Sequence, residues 1–148
     1  MMRKMLAMSA LFMALWVGQG TAEETQIHPV YKGKGVGPVD TVALADTINP
    51  EMAKKGAEIF KLKCSACHAL DKRVVGPPLN GVTKRVRPEW IMNMILNPQG
   101  MLAQDSLARA LLGQYFVPMT FQNVTQEEAR AILEFFRAND QKQEASGS

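Results

Sequence analysis

The sequence predicts an all-α domain, and three observations carry that prediction. Asn49-Pro50 and Thr125-Gln126-Glu127-Glu128 are strong helix-start signals, a cap residue before proline and a capping box. Apolar residues follow each at helical spacing. No stretch alternates apolar and polar residues as a half-buried strand does. A length of 148 residues points to one domain, and 47% apolar with 21% charged residues places it among ordinary globular chains. About four to five helices are expected.

In chain order, residues 1–22 read as a secretory signal peptide. Arg3 and Lys4 precede an uninterrupted apolar run from Met5 to Val17, and Gly20 and Ala22 are the small residues a signal peptidase needs. Thirteen apolar residues fall short of the roughly 20 that span a bilayer, so cleavage after Ala22 is expected rather than a retained anchor. No cysteine follows the run to accept a lipid. Residues 23–49 form an extension rich in Gly and Pro, read as loop with a short helical turn at 42–46. His28 lies in it, as an exposed residue of a mobile arm or as a competing metal ligand.

The first helix opens at Pro50 and runs to about Lys63, with Met52, Ile59 and Phe60 inward and Lys54, Lys55, Lys61 and Lys63 solvated. Gly56 inside it costs about 1 kcal/mol against Ala, which close approach of another helix would explain. Cys64-Ser65-Ala66-Cys67-His68 follows, the attachment signature of a c-type haem. Each thiol can add to one vinyl group of the porphyrin, and the imidazole beside them can bind iron. A thioredoxin-type pair lacks its βαβ surroundings. A zinc site lacks ligands, since the chain has no further Cys and only His28 besides. Export supports haem attachment, which in bacteria occurs outside the cytoplasm.

Gly76-Pro77-Pro78-Leu79-Asn80-Gly81 is a non-helical loop whose carbonyls can accept the Nδ1–H of His68, so that Nε2 faces the metal. Pro88 opens a second helix that ends at Asn97-Pro98, and a third covers about 103–112. The last helix starts at Thr125, with Ile132, Leu133, Phe135 and Phe136 as its apolar face. A polar tail, 141–148, ends the chain. Met119, in a loop six residues before Thr125 and stiffened by Pro118, is the candidate second iron ligand. A Met opposite His raises the reduction potential and suits electron transfer. Core packing is the ordinary role of Met, and the chain has ten. Met92, Met94 and Met101 are read as packing.

With these residues assembled, the chain resembles a class I cytochrome c over about residues 50–139. Gly56 and Phe60 stand where that family has a glycine and an aromatic, and Leu133 and Phe136 where its last helix crosses them. Gly76, Pro77, Leu79 and Gly81 match its Gly-Pro-x-Leu-x-Gly loop. The resemblance implies a cytochrome c fold around one haem c held by two thioethers. It implies iron ligated by His68 and Met119, and a Pro77 carbonyl on His68. Thr120 stands where many members have proline. Residues 82–95 are also similar to small cytochromes c that accompany nitrous-oxide reductases. On this reading residues 50–140 are the haem domain.

Without Arg3 and Lys4 the chain carries 15 basic and 14 acidic residues, net +1. Nine basic residues fall between Lys54 and Arg87 (Lys54, Lys55, Lys61, Lys63, Lys72, Arg73, Lys84, Arg85, Arg87) against Glu58 and Asp71. They read either as a solvated face or as a ring that steers an acidic redox partner. Nucleic acid is not an expected partner, because no aromatic platform interleaves them. The function expected is a periplasmic, monohaem carrier of single electrons, not an enzyme. Its donor would be of the quinol-oxidising kind and its acceptor a terminal reductase or oxidase. The rivals are a docking subunit of a larger reductase, and a haem sensor or catalyst with a labile distal ligand.

Overall fold

The computed structural model describes residues 31–147; the signal segment and His28 lie outside them. Six helices and no strand are present among the described residues: α1 (Pro50–Lys63), α2 (Val82–Arg85), α3 (Pro88–Leu96), α4 (Pro98–Gln104), α5 (Ser106–Tyr115) and α6 (Gln126–Ser146). An isolated bridge between Tyr31 and Val86 is the one sheet-like contact described.

α1 begins as its sequence dictates. The Asn49 side chain accepts the Met52 N–H at 3.0 Å, with proline next to it. Its buried face is Ala53, Gly56, Ile59 and Phe60. α6 opens with a complete capping box: Thr125 Oγ1 accepts from Glu128 N at 3.1 Å, and Glu128 accepts from Thr125 N at 2.9 Å. The two helices cross at Gly56, where a Cβ would collide with the Ala131 carbonyl. Backbone-to-backbone contact is what the glycine makes possible. Phe60 then meets Phe136 edge-on, ring centroids 5.7 Å apart.

Three segments depart from the sequence expectation. Pro98, read as a terminator, is an N1 residue that opens α4 under an Asn97 cap, whose Oδ1 accepts from Gly100 N. The helix expected at 103–112 is two helices broken at Asp105. That residue is extended, and its carboxylate accepts N–H bonds from Ala108 and the Trp90 indole and an O–H bond from Tyr31. The short α2 was not foreseen. Gly81 enters it with φ +71°, and Asp140 of α6 accepts from Gly81 N at 2.7 Å and from both the N–H and the hydroxyl of Thr83. Beyond Asp140, α6 continues through most of the polar tail.

The extension differs most. Residues 31–49 hold no helical turn at 42–46 and lie as a strap across α3, α4 and α6. Side chains of those helices take the main-chain groups a helix would have used. Asn93, 1% exposed, accepts from Val39 N and donates to Val39 O and Lys34 O. Asn97 donates to Val36 O, Glu89 accepts from Val42 N, Arg137 donates to Ala45 O, and Glu134 accepts from Asn49 N. Met101 is fully buried and its sulfur accepts the Val36 N–H. Met92 is core as well, so both methionines have the packing role expected of them.

Candidate functional site

The last turn of α1 delivers the cysteine motif. Cys64 caps the helix, its N–H bonded to Phe60 O, and the chain stays coiled because Cys67 N and His68 N both donate to Cys64 O. The Ser65 hydroxyl donates to Lys61 O at 2.6 Å. Both thiols are free, Cys64 half-buried and Cys67 exposed. Burial pushes the Cys64 thiol up, Lys63 opposes that, and Cys67 adds to it.

After His68 the loop folds back under the imidazole. Val75 N and Gly76 N donate to Cys67 O, and Asn80 N donates to Leu70 O at 2.7 Å. His68 Nδ1 lies 3.2 Å from Pro77 O. A carbonyl can only accept, so Nδ1 carries the proton and Nε2 keeps its lone pair. Burial lowers the His68 pKa and so favours a neutral imidazole, with the Pro77 bond acting in the opposite direction. A Cβ on residue 76 would run into the His68 ring, so only glycine fits beside it.

Cys64, Cys67, His68 and Pro77 thus come together in one turn-and-loop unit. Met119 is on a separate loop between α5 and α6, half-buried and packed against the core. Among the described residues, no main-chain group from 117 to 124 pairs with another main-chain group; Lys63 Nζ holds that loop through Asn123 O at 2.9 Å.

Much of the cationic run is spent inside the molecule. Lys63 also pairs with Glu128 at 3.2 Å, Arg87 with Glu89 at 2.9 Å, and Lys84 with Glu144. Arg85 is not a surface charge: it donates to Asn80 O at 2.6 Å and Pro78 O at 3.2 Å, bracing the loop that carries Pro77. Nothing in its sequence context separated it from its neighbours; only the spacing to two loop carbonyls gives it this role. Lys54, Lys55, Lys61 and Lys72 remain exposed.

The unit suits a covalently attached haem. It offers two free thiols three residues apart, an oriented imidazole and a glycine beside the ring. Exposed Val74, Val117 and Phe121 lie on the two loops and supply apolar surface of the kind a porphyrin would cover. Among the described residues, no group of three or more His, Cys, Asp or Glu side chains is placed to chelate a metal by itself.

Known proteins agree with this chemistry. Residues 53–140 match the family described as Cytochrome c. A cytochrome c-551 from Stutzerimonas stutzeri is 30% identical over 106 residues, spanning 66% of this chain and 89% of that protein. A solved cytochrome c from Rhodothermus marinus is 42% identical, with a TM-score of 0.71 over 72% of this chain and 92% of its own. An engineered form of it, bound to a carbene intermediate, is 41% identical with a TM-score of 0.67, covering 71% and 91%. The chain therefore belongs to the cytochrome c family, an electron-transfer protein that carries covalently bound haem c with its iron and works with redox partners.

Proposed function

We propose that this cytochrome is an exported, periplasmic monohaem carrier whose iron is held by His68 and Met119. The bond between His68 Nδ1 and Pro77 O is the observation that supports it most directly. That bond fixes the tautomer that leaves the Nε2 lone pair free for a metal. Bound haem iron supplies a one-electron couple. Cys64 and Cys67 would hold the porphyrin by thioethers, Gly76 and Pro77 set the imidazole, and the Met119 sulfur would favour the reduced state. Iron held by both His68 and Met119 would leave no open position for a substrate, which supports a carrier rather than an enzyme.

The test is Met119→Ala in the haem-loaded protein. The far-red sulfur-to-iron band of the ferric spectrum should vanish and the potential should fall; an unaltered spectrum removes Met119 as ligand. Export is tested by the mass of the mature protein, expected to begin at Glu23. Among the described residues no helix is long and apolar enough to cross a membrane.

Exposed Lys54, Lys55, Lys61 and Lys72 support docking to acidic partners, a quinol-oxidising donor and a terminal reductase or oxidase as acceptor. The relatives found lend no support to a nitrous-oxide reductase in particular. A second reading, haem-based catalysis with a labile distal ligand, has one observation in its favour: an engineered relative is bound to a carbene intermediate. The docking-module reading loses most of its tether, because residues 31–49 pack on their own domain.

A further inference from the structure

Two segments frame the haem site, the loop 69–81 after His68 and the stretch 116–124 that carries Met119. Among the described residues they share no main-chain hydrogen bond. Arg73, on the first, places its guanidinium carbon 4.6 Å from the centroid of the Tyr115 ring, at the end of α5. Arg73 makes no ion pair among the described residues, so the aromatic face is its chief partner. Immediately after Tyr115 the chain turns through Phe116 at φ +61°, and that turn sets the direction in which it leaves toward Met119.

Arg85 braces the same loop through Pro78 O and Asn80 O, so the contact of Arg73 with Tyr115 ties a segment that is already held from within.

We propose that Arg73 and Tyr115 form a latch across the haem site, with Tyr115 as the positioning residue through which the His68 side retains the Met119 loop. The inference rests on Met119 being the distal ligand. The latch governs how readily the loop lets go of iron, hence how exclusively the protein remains an electron carrier. A weakened latch opens the distal position to outside ligands.

The test uses the haem-loaded ferric protein and imidazole as competitor, with the rate of Met119 displacement as readout. Arg73→Gln and Tyr115→Leu should each speed displacement about two- to fivefold, the range an exposed cation–π pair supports. Tyr115→Phe, which keeps the ring, should match the wild type. The double variant Arg73→Gln/Tyr115→Leu should be no faster than Tyr115→Leu alone, because the two changes break one contact. An unchanged rate in Arg73→Gln, equal acceleration in Tyr115→Phe and Tyr115→Leu, or multiplying effects in the double variant would each overturn the latch. Met119→Ala separates the two levels. If the far-red band persists in it, the ligand reading fails and the latch with it. If the band is lost there while Arg73→Gln stays at the wild-type rate, the latch alone fails.

Discussion

The strap side and the haem side of this molecule are built on opposite principles. On the strap side, residues 31–49 bury few large side chains and are held by side chains that reach across to main-chain groups: Asn93, Asn97, Glu89, Glu134 and Arg137. On the haem side, 117–124 has no main-chain pairing of its own, and Phe116 and Val117 stand 82% and 51% exposed. One side is closed by directional polar bonds within the chain. The other presents apolar surface and leaves its closure to the prosthetic group. A side chain that must satisfy buried backbone groups cannot be exchanged cheaply. A loop held by few bonds can move.

The comparison can be broken from the strap side first. Asn93→Leu keeps the branched shape but leaves Val39 N–H, Val39 O and Lys34 O without their partner, and should cost about 4 kcal/mol by denaturant titration of the loaded protein. A loss under about 1 kcal/mol would mean that the strap is passive. Glu134→Gln should cost less, about 2 kcal/mol. The Glu134 carboxylate, though burial alone would raise its pKa, is held below the ordinary 4.5 by Asn49 N–H, Arg130 and Arg137. The sign follows from linkage: the unfolded chain takes up the proton first, so this stabilisation is present above about pH 4.5 and fades as pH falls through the lower folded value. The Gln variant should therefore show a shallower acid-unfolding slope by far-UV circular dichroism than the wild type. Equal slopes would remove Glu134 from that account.

The smallest effect belongs to the haem side. Phe116 adopts the left-handed conformation that caps helices at little cost only for glycine or asparagine. Phe116→Gly should therefore change stability by no more than about 1 kcal/mol, and toward the stable side. A loss of several kcal/mol would show that the exposed ring has packing value after all.

What the residues revealed before any coordinates depended on how local the determinant was. The caps of α1 and α6, the glycine at their crossing and the Gly76 to Gly81 loop are local or periodic signals, and each stands in the structure as read. The strap was illegible because its partners lie 47 to 92 residues away and are polar, so no hydrophobic period marks them. α4 was missed because proline stops a helix and starts one with equal ease. Arg85 was miscast because a composition count sees charge and not the two carbonyls it meets. The thiols and imidazole of the site came from local spacing and the Pro77 carbonyl from the family resemblance, whereas the tie between its two loops, Arg73 on Tyr115, is a tertiary contact.

The strap also sets a timetable. Its anchors pair Asn49 with Glu134 and Ala45 with Arg137, 85 and 92 residues apart, so the first part of the domain to be made waits for the last. Contacts of such separation form late, since the entropy of closing a long loop must be met before they give anything back. Until α6 exists the strap lacks its Glu134 and Arg137 anchors and has only those on α3 and α4. The two ends of the domain are thereby fastened to each other last, once α6 supplies Glu134 and Arg137.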